Sequence, residues 1–191
     1  MRAQPDYSLT LDALDHFIAR CETLGVHFAL AGFTGGEPTL WPHLAAGIER
    51  MSASPVFGKL RLNTNGANLS VLDTVAHHLT SVRLSVHAGN TDLTAKITAK
   101  DRARYKIKLW NRPHRAYAEH PIPNSTPAKC SCPIPIYFDG RMYICPGALI
   151  SQNDESASVD DDFAAHYISR QATRMNQPFC RQCISNAKAM R

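Results

Sequence analysis

The chain has 191 residues, 44% hydrophobic and 19% charged, a size that buries one core and leaves room for a small appended module. Lysine and arginine outnumber aspartate and glutamate 21 to 16, and this mild excess of +5 argues for solubility more than for a nucleic-acid surface. No stretch reaches the apolar length of a membrane span and the N-terminus lacks a signal-peptide core, so a membrane protein is excluded and a cytoplasmic one is expected.

The first predicted helix starts after Thr10, an N-cap candidate, and places Leu11, Leu14, Phe17, Ile18, Cys21 and Leu24 on one face before Gly25 ends it. Cys21 reads as a small core residue, not a ligand. From Val26 to Phe33 the chain is nearly continuously apolar, as in a strand covered on both faces. It runs into Phe33-Thr34-Gly35-Gly36-Glu37-Pro38. Two glycines let backbone approach a ligand where a side chain would clash, the glutamate offers an acceptor, and Pro38 fixes the turn. An ordinary strand-to-helix turn is the plainer reading of the same residues.

A second helix runs through Leu44, Ile48 and Met51 and closes at Ser54-Pro55. Lys59 to Asn63 reads as a strand ending in Thr64-Asn65-Gly66, followed by a helix from Leu69 to Leu79. A third strand, Val82 to His87, ends in Ala88-Gly89-Asn90. Three strands that each end in a polar turn, with helices between them, predict an α/β fold with a parallel sheet whose carboxyl ends share one face, where ligands bind. Residues 91–104 suggest a short helix or loop, and Tyr105 to Trp110 a strand wet on one face. The cations Arg102, Arg104, Lys106, Lys108, Arg112 and Arg115, with Tyr105, Trp110 and Tyr117, could form a patch for single-stranded nucleic acid. A solvated strand face explains them at less cost, and nucleic acid is not the expected partner.

Pro113, Pro121, Pro123 and Pro127 mark residues 113–129 as a linker between a domain over 1–112 and a module over 130–191. Five of the six cysteines lie in that module, and in a reducing compartment they argue for metal or redox chemistry. Ile134 to Phe138, Asp139-Gly140 and Arg141 to Ile144 predict a β-hairpin with a type I′ turn. Cys130 or Cys132, with Cys145 and the Cys180-x2-Cys183 knuckle, can supply a four-sulfur tetrahedron. Spacing leaves zinc and iron–sulfur equally open. Residues 151–162 read as an exposed acidic loop capping a helix near Phe163.

Taken together, these motifs resemble the radical S-adenosylmethionine family. Gly35-Gly36-Glu37-Pro38 matches its Gly-Gly-Glu-Pro motif, and the resemblance implies that this backbone and Glu37 hold the methionine amino group of S-adenosylmethionine. It also implies that Thr64, Asn65, Ser85 and His87, at later strand ends, line the ribose and carboxylate pocket. The fold it implies is a truncated partial (β/α) barrel. Cys130-x9-Gly140-x4-Cys145 followed by Cys180-x2-Cys183 resembles the C-terminal SPASM or twitch module of that family, which holds an auxiliary [4Fe–4S] cluster; the short cysteine set matches a twitch-like single cluster.

The sequence departs from the family in one respect that governs its chemistry: no Cys-x3-Cys-x2-Cys loop precedes the first helix. Without three thiolates an open-iron cluster has no anchor, so no catalytic residue is assigned and the chain alone is expected to be inactive. The sequence could start at an internal methionine, belong to a degenerate homologue, or rely on a partner chain that completes the sheet edge and donates the cluster. The family implies a peptide or small-molecule substrate. The competing expectation is a non-catalytic, metal-stabilised module that binds a protein or RNA.

Overall fold

The computed structural model describes residues 8–86, 88–111, 135–145, 148–149 and 156–166. The chain divides into two compact units, Thr10–His114 and the remainder, residues 1–9 with 115–191. Each is described separately.

Helix α1 (Leu11–Thr23) forms where the caps predict it. The Thr10 hydroxyl accepts from the Ala13 amide at 3.1 Å, and Gly25, at φ +63°, takes the left-handed conformation that stops the helix. Leu14, Phe17 and Cys21 are buried on its inner face. Burial pushes the Cys21 thiol up to about 12, with Glu22 adding to the effect, so this cysteine is an inert core group. Helix α2 (Leu44–Ala53) buries Leu44, Ile48 and Met51 and is tied to α1 by an ion pair between Arg50 and Asp15.

Four strands, β1 (Ala31–Phe33), β2 (Leu60–Thr64), β3 (Ser81–Val86) and β4 (Ile107–Asn111), form an all-parallel sheet in the order β1-β2-β3-β4. Sheet order follows chain order, as right-handed βα units dictate. The registers Phe33↔Leu62, Leu62↔Val82 and Val82↔Ile107 place one apolar row across the sheet, and Leu62, Val82, Leu84 and Ile107 on this face are buried. The alternate residues Arg61, Asn63, Arg83, Ser85, Lys108 and Trp110 lie on the opposite face.

Three expectations are corrected here. The apolar run from Val26 is not a strand covered on both faces. Only Ala31–Phe33 pairs as one, Phe28 makes an isolated bridge to Phe57, and Leu30 is 43% exposed, because β1 is an edge of this sheet among the described residues. The helix expected over 69–79 reduces to α3 (Leu72–Val75) flanked by turns that bury Leu72, Val75 and Leu79. The strand expected from Tyr105 starts at Ile107. Lys106 instead adopts φ +55° and donates its ammonium to the Leu79 carbonyl at 2.9 Å. Between β3 and β4, residues 91–104 form α4 (Thr91–Ala95) and α5 (Ala99–Arg104), the latter opened by a reciprocal Thr98–Asp101 capping box.

In the second unit the hairpin forms as the turn chemistry requires. β5 (Ile136–Phe138) and β6 (Arg141–Tyr143) pair antiparallel around Asp139 and Gly140, whose φ values of +47° and +69° are those of a type I′ turn. Residues 156–158, expected in an exposed loop, form a third strand, β7 (Ser156–Ser158), on the free side of β6. Ser156 and Ala157 are buried, and the Arg141 guanidinium fixes the register by donating to the Ser156 hydroxyl at 2.8 Å. The Asp162 carboxylate accepts from the Ala165 amide at 2.9 Å and caps the turn that buries Phe163. Among the described residues no helix is long and apolar enough to cross a membrane.

Gly47 tests the core. A Cβ there would stand 2.6 Å from the Trp41 ring, itself packed on Phe33 at a centroid distance of 5.9 Å. Gly47→Ala is expected to lower stability by about 1–3 kcal/mol in urea unfolding, and an unchanged midpoint would contradict this packing. Peptide mapping after iodoacetamide treatment of the native protein at pH 8 is expected to find Cys21 unmodified.

Candidate functional site

The carboxyl ends of β1, β2 and β3 deliver their polar turns to one edge of the sheet, and a single carboxylate joins the first two. Glu37 Oε1 accepts from the Thr39 amide at 3.0 Å, from the Thr39 hydroxyl at 2.6 Å and from the Thr64 hydroxyl at 2.5 Å. Its Oε2 accepts from the Asn65 amide at 2.7 Å. Pro38 follows directly and, with its fixed φ and no amide hydrogen, opens the short 3-10 turn Pro38–Leu40 that carries Thr39 back under the carboxylate. The two threonines extend the network: Thr39 Oγ1 accepts from the Asn68 amide at 3.2 Å and Thr64 Oγ1 from the Gly66 amide at 2.9 Å.

The third turn joins through Asn90, which is buried. Its side-chain amide donates to the Asn65 carbonyl at 2.8 Å and to the Ser85 carbonyl at 2.7 Å, bridging the ends of β2 and β3. Gly66 lies between them at φ +89°, and a Cβ would meet Leu93 at 2.8 Å and Leu84 at 3.1 Å, so only glycine fits. The Asn-Gly pair is therefore a packing requirement of this loop and not a hairpin turn.

Gly35 and Gly36 differ from Gly66. Gly35 has φ +123°, both are exposed, and neither has an atom within 4 Å of the position a Cβ would take. The pair thus presents bare backbone on an open side while the next residue, Glu37, anchors it from below. Glu37, expected from the resemblance to meet a ligand amino group, has both oxygens engaged within the protein. Three of these hydrogen bonds fall on Oε1 and one, from the Asn65 amide, on Oε2, so of the carboxylate's roughly four lone-pair sites one on Oε2 stays open to a further donor. Thr64 and Asn65 belong to the same tie. Ser85 is half-buried on β3 and gives its carbonyl to Asn90; His87 lies outside the described residues.

Of the cysteines expected to bind metal, Cys145 is described: it is 7% exposed after β6, packed with Ile144 and Ala148, and its carbonyl accepts from the Ala148 amide at 3.2 Å. Cys130, Cys132, Cys180 and Cys183 lie outside the described residues. Among the described residues no group of three or more histidine, cysteine, aspartate or glutamate side chains could hold a metal ion.

In the cation-rich stretch around Tyr105, Arg104 and Lys106 are engaged locally, Lys106 by the Leu79 carbonyl. Arg104 pairs with Asp73 at 2.9 Å and lies over the Tyr105 ring at 4.9 Å, and the Tyr105 hydroxyl donates to Asp73 at 2.5 Å. That hydrogen bond, followed by burial, raises the Tyr105 phenol above its usual range. Sequence reasoning did not single out Thr39 or Asn90. The signal for Thr39 was its place two residues after Glu37, within reach of that carboxylate; Asn90 had only its place in a turn.

No protein-family model matches the sequence, and no curated protein matches it. Among solved structures the chain is similar to BtrN, a radical S-adenosylmethionine enzyme, in two crystal structures. Against BtrN in an open conformation the TM-score is 0.64 at 15% identity, covering 92% of this chain and 80% of the other. Against BtrN in complex with AdoMet and 2-DOIA it is 0.66 at 14% identity, covering 95% and 83%. The likeness is one of fold: the chain shares the α/β fold of BtrN.

The tie predicts its own failure. Thr64→Val removes a donor to Glu37 and leaves the Gly66 amide without its acceptor, a loss of about 1–3 kcal/mol. Glu37→Gln should cost a similar amount, and the double variant less than the sum, because both changes break one network. Strict additivity in a double-mutant cycle measured by urea unfolding would show that the two residues act independently.

Proposed function

We propose that the chain is a radical S-adenosylmethionine-type protein whose Thr10–His114 unit binds S-adenosylmethionine at the carboxyl ends of β1, β2 and β3. The observation that carries this reading is the Gly35–Gly36 backbone, open on its outer side and anchored by the four hydrogen bonds of Glu37. Backbone carbonyls and amides in such a turn can take the methionine end of the cofactor without a clashing side chain. In this reading Glu37 positions the turn and, with the open acceptor site of Oε2, joins the Gly35–Gly36 backbone in holding the methionine amino group, while Thr64, Asn65, Ser85 and His87 bring their strand ends to the rest of the molecule. The fold shared with BtrN, whose crystal structure holds AdoMet, supports it.

S-adenosylmethionine supplies a carbon radical when a cluster reduces it by one electron, and that cluster needs three thiolates. The 191 residues contain no Cys-x3-Cys-x2-Cys, so the residues here bind and orient the cofactor, and its cleavage requires thiolates from elsewhere. A chain truncated at its start, a degenerate homologue, and a partner chain completing the β1 edge remain the three ways to account for this. The C-terminal module, 130–191, is proposed as twitch-like, holding one [4Fe–4S] cluster or zinc through Cys145, Cys180, Cys183 and one of Cys130 and Cys132. A peptide or small molecule is the proposed substrate of the complete enzyme. The second reading, a non-catalytic metal-stabilised module for a protein or RNA partner, is favoured by the missing cysteine loop.

Calorimetric titration with S-adenosylmethionine separates the readings. Saturable binding is expected, and Gly36→Val, which fills open space, should keep the wild-type melting temperature while weakening binding about tenfold or more, equivalent to about 1.4 kcal/mol. No binding by the wild type would overturn the cofactor assignment. After anaerobic reconstitution, about four irons per chain are expected without cofactor cleavage. One zinc and no iron would replace the cluster with a zinc site.

A further inference from the structure

The face of the sheet opposite the apolar row carries an unusual set of residues. Arg61 and Asn63 on β2, Arg83 and Ser85 on β3, and Lys108 and Trp110 on β4 project to the same side, and the registers Arg61↔Ser81, Asn63↔Arg83↔Lys108 and Ser85↔Trp110 set them in three successive rows. Three cations share this face. None has a carboxylate partner among the described residues: Arg61 donates to the Ser81 hydroxyl at 3.2 Å, and Arg83 stacks over the Trp110 ring at 4.4 Å. Arg61 and Arg83 are half-buried, and burial together with repulsion from Arg83 holds the Arg61 guanidinium below its usual range. Like charges gathered on one face repel one another unless an anion offsets them.

Beside them stands an unmet acceptor. Asn63 Oδ1 is shut off from solvent and has no hydrogen-bond partner, though it neighbours Arg83 in register. A buried amide oxygen left bare is costly and marks a place where a donor is missing. Across from it Gly32 has no side chain; a Cβ there would lie 3.5 Å from the Asn63 amide nitrogen, so the glycine keeps the space over the amide open.

We propose that this face is the subsite for the second substrate, and that the substrate is a small hydroxylated oxyanion, a phosphate ester or a hydroxycarboxylate. Its anionic group is held by Arg61, Arg83 and Lys108, a hydroxyl donates to Asn63 Oδ1, and its carbon skeleton rests beside the Trp110 ring. Guanidiniums suit an oxyanion because they can grip two oxygens at once, and the stack on Trp110 fixes the Arg83 fork in advance. The inference rests on the cofactor-binding reading in placing this face beside the Gly35–Gly36 turn. Its evidence is separate from that of the turn.

The two tryptophans, Trp41 and Trp110, make the test direct. In a Trp41→Phe protein the fluorescence of Trp110 is titrated with glycerol 3-phosphate, inorganic phosphate, glycerate and glycerol at fixed ionic strength. Saturable changes are expected with the two hydroxylated anions and phosphate and none with glycerol. Arg83→Gln and Lys108→Gln should each weaken glycerol 3-phosphate about tenfold or more, whereas Lys100→Gln, on the exposed face of α5, should not. Asn63→Leu should weaken glycerol 3-phosphate but not inorganic phosphate, which has no carbon-borne hydroxyl to lose. Circular dichroism of each variant establishes that it is folded, and the separate substitutions keep the test intact should one of them not fold. No saturable response to any anion, or responses unaltered in Arg83→Gln and Lys108→Gln, would overturn the proposal. Tight binding of a single-stranded RNA oligomer through the same cations would do so too, as would loss of S-adenosylmethionine binding in Arg83→Gln without any anion response, which would assign the cations to the cofactor carboxylate. Failure of S-adenosylmethionine to bind a protein that still binds glycerol 3-phosphate would sink the cofactor reading and leave this one standing.

Discussion

The carboxylate of Glu37 is the constraint on which the site depends. A parallel sheet fixes where its strands end but not how the turns beyond them stand relative to one another, since each turn belongs to a different βα unit. A part-buried hydrogen-bonding tie removes that freedom. Glu37 binds the turn after β1 to the turn after β2, Thr39 and Thr64 pass the connection to Asn68 and Gly66, and Asn90 carries it to the end of β3. Every polar group used this way is satisfied, which is the condition under which such a network adds rigidity and not merely desolvation cost. Preorganised turns can then present backbone to a ligand without first losing conformational entropy.

Division of labour on the sheet follows from the same geometry. Side chains alternate, so one face carries Leu62, Val82, Leu84 and Ile107 into the core and the other carries arginine, lysine, asparagine and serine. A two-sided apolar pattern would have read as a sheet buried under helices on both faces. The polar alternate residues instead give this sheet one apolar face and one polar face.

Much of this was legible in the amino-acid order, and the parts that were not have physical causes. Thr10 and Gly25 mark α1 because capping is local, and Asp139-Gly140 specifies its hairpin because a type I′ turn needs two positive φ angles. The open Gly35–Gly36 turn was equally plain. The destination of Glu37 was not: its partners Thr64 and Asn65 are brought to it by tertiary structure, and sequence offers no measure of that distance. β7 was missed for a related reason. Ser156-Ala157-Ser158 has no strand propensity, and it pairs because β6 presents a free edge and Arg141 reaches across to hold it. Val26 to Leu30 was over-read as strand because an apolar run does not reveal whether a neighbour exists on each side.

The order of the sheet has a bearing on how this unit comes to be assembled. Each strand pairs with the one made just before it, β2 on β1, β3 on β2 and β4 on β3, so no pairing must wait for a distant part of the chain. Every addition closes a loop of similar length and therefore meets a similar entropic barrier. As the polypeptide leaves the ribosome, each βα unit can dock on a template already in place, and the exposed growing edge moves forward with synthesis. The binding turns would mature in the same sequence, the tie between the first two forming once Asn65 has emerged and the bridge to the third only after Asn90.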